Sequence, residues 1–183
     1  MSEELIVRHC SPTLAGMKTG NMFSCRFKDT HDMKEHMRKL NRSLVKKGIR
    51  VIPLTHSEER TLVYVFRPKY LKRDLENSEA DRLLRERGYN CENAQRCIIH
   101  LMGRLGGSKD FPHEIGLFLG YPPEDVSGFI ENRAGGYKFS GFWKVYGDAD
   151  KAREKFEKFR RCTKVYCDRW AKGRPIEELA VAA

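Results

Sequence analysis

The six residues TLVYVF, Thr61–Phe66, constrain the fold more than any other stretch. β-branched and aromatic side chains follow one another without a charge, the composition of a strand. The short run Ile49–Leu54 is a second strand, and THSEER between the two is a connection that can form a hairpin. Further upstream, Asn21–Phe27 sets Met22 and Ser24 against Phe23, Cys25 and Phe27, the two-residue period of a half-buried strand. Between these strands Met33, Met37, Leu40 and Leu44 recur at helical spacing. Asp29 or Thr30 can cap that helix, and Gly48 closes it after two lysines that suit its negative end. The resulting order of strand, helix, strand, strand predicts a mixed sheet with helices against it.

From Pro68 onward the pattern is helical. Leu71, Leu75, Leu83 and Leu84 are the apolar positions of a stretch ended by Gly88. Cys91 to Leu105 reads as another helix, with Ala94, Cys97, Ile98, Leu101, Met102 and Leu105 on one face and glycines 103, 106 and 107 fraying its end. Asp110 caps a short helix that reaches Gly120, and Pro122 and Pro123 open one that runs to about Asn132. Gly135, Gly136 and Gly141 punctuate a strand-like FWKVY. Asp148 then starts a long amphipathic helix with Phe156, Phe159, Thr163, Tyr166 and Trp170 along one stripe, closed by Gly173 and Pro175. With no linker or internal repeat in view, the expectation is an α+β (or α/β) chain folded as a single domain over residues 1–183, with a helical C-terminal half.

Charge narrows the partners. Lys and Arg number 35 against 25 Asp and Glu, a formal +10. Such an excess favours an anionic small molecule, an acidic protein or nucleic acid. A helix–turn–helix across Gly120 would be the nucleic-acid device. Its second helix carries Glu124, Asp125 and Glu131 with no basic residue before Arg133, the wrong sign for a phosphate backbone. Nucleic acid is therefore disfavoured. No apolar stretch approaches the roughly 18–20 residues of a membrane span, and MSEELIVRHC has acids where a signal peptide carries positive charge. A cytoplasmic protein without a membrane role is expected. The six cysteines lack tight CxxC pairs and are read as reduced thiols; no metal ligand set is assigned.

One segment, RHCSPTLAGMKTGNMFSC (Arg8–Cys25), invites chemistry. Ser11 and Pro12 have the form of an N-cap and a first helical residue, which would put Cys10 beside free amides that favour thiolate. Arg8, His9 and Lys18 would add to that positive field. The same amides, with Ser11, Thr13 and Lys18, can instead hold a phosphate or carboxylate. GMKT resembles the tail of a phosphate loop, but residue 11 is serine where that motif needs glycine. His113, near a helix start, is a candidate base. The Gly135/Gly136 turn, with Tyr137, Phe139, Phe142 and Trp143 after it, either covers a flat ligand with Lys138 and Lys144 as anion partners or completes a core.

HCSPTLAGMKTGNMFSC, FPHEIGLFLGYPPEDVSGFIEN and WKVYGDADKA together resemble the uncharacterised bacterial family DUF3793. The resemblance implies that these three regions are candidates for one shared pocket, without a reaction or cofactor. The functional expectation is a small-molecule or anion-binding protein with thiol-dependent activity. In it Cys10 is the nucleophile or redox thiol, His9 or His113 moves the proton, and Ser11, Thr13, Lys18, Lys138 and Lys144 bind the anion. The alternatives are a non-catalytic regulatory or protein-interaction module and a Cys/His metal- or haem-binding redox accessory protein. The cofactor and oligomeric state are not assigned.

Overall fold

The central strand of the molecule is the one the sequence marks best. A computed structural model describes residues 3–90, 92–107 and 110–182 and has a mixed α/β fold with a mostly helical C-terminal half. Elements are numbered in chain order. Strand β1 (Gly20–Cys25), strand β2 (Arg50–His56) and strand β3 (Thr61–Phe66) form an antiparallel sheet in the order β1-β3-β2. Gly20 faces Phe66 and Cys25 faces Thr61 on one side of β3, and Arg50 faces Phe66 on the other. Pro53 sits in β2, an edge strand, where the register slips between Pro53 and Thr55. An edge is where a residue without an N–H is tolerated.

The chain divides into two compact units, residues 1–70 with 161–183, and residues 71–160. In the first, Val63 and Val65 of β3 join Phe23, Cys25 and Val51 in a buried cluster. Helix α2 (Thr30–Leu44) adds Met33, Met37, Leu40 and Leu44 to that core, as their spacing predicts. The Asp29 carboxylate accepts the Asp32 N–H at 2.8 Å and caps the helix. Asn41 ties the helix to the sheet edge: its amide donates to the Val51 carbonyl at 2.7 Å and its oxygen accepts the Val51 N–H at 3.0 Å. A 3-10 turn, Val45–Lys47, follows, and Gly48 takes the left-handed conformation there at φ 73°.

The start of the chain departs from expectation. Helix α1 spans Glu3–Leu14, so Ser11 and Pro12 lie in its last turn instead of opening a new helix. Ile6, Val7, Cys10 and Leu14 recur at helical spacing and are all fully buried. Burial of that stripe outweighs the local N-cap signal of the Ser-Pro pair. The Ser11 hydroxyl turns back to the Val7 carbonyl, the common behaviour of serine inside a helix.

Arg67, fully buried, closes this unit. Its Nε donates to the Thr13 carbonyl at 2.7 Å, and its Nη2 donates to the carbonyls of Leu14 and Val181, each at 2.8 Å. The guanidinium therefore satisfies the open carbonyl end of α1, where the helix dipole favours a cation. It also fastens the segment after helix α9 (Ile176–Leu179) to that end. Burial holds its pKa below the ordinary arginine value, against an upward pull from Tyr70 and Tyr166.

The second unit is built on helices. The stretch from Pro68 to Gly88 divides into α3 (Pro68–Leu75), whose first residues belong to the first unit, and α4 (Ser78–Glu86). The break falls at Asn77, whose side chain accepts the N–H groups of Glu79 and Ala80. Helix α5 covers Ala94–Gly107 and continues through Gly103; the expected start at Cys91 lies outside the described residues. Short α6 (Ile115–Phe118) and α7 (Pro123–Glu131) precede a two-stranded ladder, β4 (Phe139–Ser140) with β5 (Lys144–Val145). Helix α8 (Ala149–Ala171) runs out of this unit into the first. Trp143, Val145, Ala152, Phe156 and Phe159 form the buried cluster here. Gly141 is required by it, because a Cβ at that position would lie 2.3 Å from the Phe156 ring.

Arg67→Met keeps most of the volume but removes every donor. It should lower stability by about 2–5 kcal/mol, because buried carbonyls lose their partner. A urea titration followed by circular dichroism checks this; a midpoint within error of the parent protein would contradict the role assigned to Arg67.

Candidate functional site

Asp125 is a strongly recessed polar residue that lines a cavity in the second unit. It lies in the first turn of α7 and is 4% exposed. Its Oδ2 accepts the indole N–H of Trp143 at 2.7 Å. Its Oδ1 accepts the backbone N–H of Tyr146 at 2.7 Å and that of Gly147 at 2.8 Å. Three donors therefore compensate one carboxylate, and the β4–β5 ladder with the loop after it is pinned to α7. Gly128, one turn along α7, lets Tyr146 lie against the helix, since a Cβ there would be 2.4 Å from the tyrosine ring.

That anchoring leaves a cleft of about 320 Å³ between α6, α7 and the ladder, lined by His113, Tyr121, Phe129, Trp143, Lys144 and Ser140 among others. Tyr121 stacks on Trp143 at 4.7 Å between ring centroids, and His113 packs against Phe129 at 4.9 Å. Burial pushes the Tyr121 phenol up to about 12, so it stays a neutral donor; its hydroxyl reaches the Phe142 carbonyl at 3.3 Å. Lys144 supplies the cation. Its Nζ donates to the Ala134 carbonyl at 2.7 Å and lies 4.7 Å from the Tyr137 ring centroid and 5.7 Å from that of Phe129. An ammonium has three donors, so this bond does not exhaust it. Arg133 and Ala134, at φ 47° and 63°, are non-glycine residues in the left-handed region, a strained turn that the Lys144 bond holds. Tyr137 and Phe142, 44% and 38% exposed, and Phe111, 55% exposed and packed on His113 at 5.5 Å, add apolar surface nearby.

Beside the cleft, Glu114 is a charged residue that sequence patterning did not single out. It is 2% exposed and accepts the Tyr89 hydroxyl at 2.9 Å. Arg104 stands 3.1 Å away and Arg87 4.0 Å. Burial of Tyr89, and after it the charge and hydrogen bond of Glu114, raise the phenol far above its ordinary value. With His113 on one side and Ile115 on the other, this buried ion group fixes the wall from which both cleft residues project. The HE pair was visible in the sequence, but its arginine and tyrosine partners come from α4–α5 and their connection.

The expected thiol centre is not assembled. Cys10 has no exposure and lies in the interior of α1. Burial drives its pKa far up, against a smaller downward pull from Lys18. The amide field that was to favour thiolate sits at Glu3, two turns away. The hydroxyls proposed for an anion are spent within the fold: Ser11 bonds to the Val7 carbonyl and Thr13 donates to the Asn21 side-chain oxygen at 2.8 Å. Lys18 is buried, at 5% exposure, and engaged. His9 lies on the exposed side of α1, stacked on Phe23 at 5.5 Å. Lys138 is exposed and donates to the Gly147 carbonyl at 2.9 Å; it does not line the cleft. Of the expected site residues, the cleft brings together His113 and Lys144. The aromatic turn contributes Trp143 to the core, and the same ring lines the cleft.

Four cysteines, Cys10, Cys25, Cys162 and Cys167, are free thiols. Among the described residues no three His, Cys, Asp or Glu side chains are grouped to hold a metal ion, and no helix is long and apolar enough to cross a membrane.

Fold and cleft thus define a mixed α/β protein with an aromatic recess and one cation in its wall. The chain belongs to the DUF3793 family of proteins of unknown function, whose family model matches residues 6–180 and so spans nearly the whole sequence. No curated protein and no solved structure matches it.

Two substitutions test this geometry. Asp125→Asn turns an amide N–H toward either the indole or the backbone donors, and should cost about 1–3 kcal/mol with a loss of near-ultraviolet dichroism from Trp143. An unchanged tryptophan band would contradict the anchoring role. For Cys10 the expectation is protection from iodoacetamide at pH 8 in the folded protein and modification in urea, read by peptide mass. The folded thiol keeps its proton above the ordinary 9.0, so the stability this adds is complete below pH 9 and declines as pH rises further. Alkylation of Cys10 in the native state at the rate of a free thiol would contradict the burial.

Proposed function

We propose that the chain is a non-catalytic binding protein whose site is the aromatic cleft of the second unit, and that its ligand is a small planar aromatic anion. The observation that carries this reading is Lys144, an ammonium in the wall of a recess that the rings of Tyr121, Phe129, Trp143 and His113 also line. Aromatic walls with few polar groups are the usual make-up of a ligand pocket, and about 320 Å³ is at the small end of the roughly 300–1,000 Å³ range. Asp125 lines the same space, but its charge is taken up by three donors, so Lys144 determines the sign of the ligand. A thiol takes no part in this function, because the Cys10 sulfur is sealed in the core.

Calorimetric titration with 1-naphthoate and its neutral counterpart 1-naphthamide separates charge from shape. One equivalent of naphthoate should bind with a Kd on the order of 10–1,000 µM, as ligand efficiencies allow for so small a molecule. The amide should bind roughly 5–20-fold more weakly, because it lacks a charge-assisted bond to Lys144. Lys144→Gln should erase the difference between the two. No heat up to about 5 mM, or equal affinity for acid and amide in the parent protein, would overturn the proposal.

A further inference from the structure

The two units divide the charge of the chain very unequally. Residues 1–70 and 161–183 carry 19 Lys and Arg against 10 Asp and Glu, whereas residues 71–160 carry 16 against 15. Nearly all of the net +10 therefore belongs to the first unit, and the cleft belongs to the almost neutral second one.

Within the first unit part of that excess is ordered. Lys34, Arg38 and Arg42 follow one another at four-residue steps along α2, and Lys46 extends the row into the 3-10 turn. All four are exposed. They lie off the buried stripe of Met33, Met37, Leu40 and Leu44, Lys34 at its flank and Arg42 nearly opposite, so the core fixes the side on which they project. Each step advances about 6 Å along the axis, giving an evenly spaced row of cations. Only Arg38 of the four is in an ion pair among the described residues, with the exposed Glu35 at 3.1 Å.

We infer that this face of α2 is a docking surface for the phosphate backbone of double-stranded nucleic acid, bound without regard to sequence. Its chemistry distinguishes that occupant from others. A protein interface centres on aromatic and aliphatic anchors and is depleted in lysine; the only large apolar side chain exposed along the row is Val45, at 36%. Single-stranded nucleic acid is held largely by stacking on aromatic side chains. The exposed large hydrophobics of the first unit are Met17, Val45, Val165 and Val181, with no aromatic residue among them. What remains is a polar, strongly positive strip suited to regularly spaced phosphates. The acids that disfavour a helix–turn–helix reader are on α7, which belongs to the other unit.

Fluorescence anisotropy of a labelled 24-base-pair random DNA duplex with the full chain, at several salt concentrations, tests the inference. Binding should be micromolar at low salt and weaken with a log–log slope of about −3 to −4, one counterion released for each of four cations. Arg38→Gln with Arg42→Gln should reduce the slope magnitude by about 2, while Arg38→Lys with Arg42→Lys preserves it. Both pairs are exposed, so melting temperatures should match the parent protein. Absence of binding at 50 mM salt would overturn the inference, as would binding that the Gln pair leaves unchanged. Tighter binding to a single strand of the same length, or equal salt-dependent binding to polyglutamate, would also overturn it.

Discussion

The Asp125 carboxylate is the contact on which the candidate site depends. It is one residue on α7, yet it receives the side chain of Trp143 and the backbone of Tyr146 and Gly147. The ladder between α7 and α8 has only two residues per strand, too few to hold a fixed position by backbone pairing alone. A carboxylate with three well-aligned donors supplies the missing constraint, and the rings of Trp143 and Phe156, edge to face at 4.4 Å, fill the space behind it. The cleft is what this arrangement leaves open. One wall is shared with the core through Trp143 and Tyr121, and Lys144 is held at the edge by a turn that two left-handed, non-glycine residues strain.

Arg67 does in the first unit what Asp125 does in the second. Each is a buried charge whose partners are chiefly neutral backbone or indole groups, and each joins segments far apart in sequence. Such a charge is costly to bury and more costly to leave unpaired, so it specifies one arrangement strongly. The difference lies outside these anchors. The first unit presents a row of cations on α2, whereas the second is close to neutral and holds the cleft. The two proposed ligands, an extended polyanion and a small aromatic anion, follow from that contrast.

Elements with a local cause were legible in the sequence. β3 occupies the six residues TLVYVF, and α2 begins at the Asp29 cap and gives way to a turn ended by Gly48. The start of α7 at Pro123 and that of α8 just after Asp148 were legible for the same reason. Cys10 was misread because two local signals competed. Ser-Pro looks like the beginning of a helix, but Ile6, Val7, Cys10 and Leu14 already trace the buried stripe of one ending there, and weighing that spacing would have found it. Arg67, Glu114 and Asp125 were not legible as anchors. Arg67 meets carbonyls 53, 54 and 114 positions away, Glu114 meets Tyr89 from 25, and Asp125 meets Trp143 from 18, and no local pattern encodes such meetings. The basic row was hidden for a different reason: a charge summed over the chain cannot show that one unit carries nearly all of it.

The central claim is that the recess between α6, α7 and the β4–β5 ladder holds an aromatic anion beside Lys144. Intermolecular nuclear Overhauser effects from the ring protons of bound 1-naphthoate report this most directly. The account predicts cross-peaks to the side chains of Trp143 and Phe129, with the Lys144 methylene protons nearest the carboxylate end. Cross-peaks confined to residues 3–70, or none at saturating ligand, would contradict it.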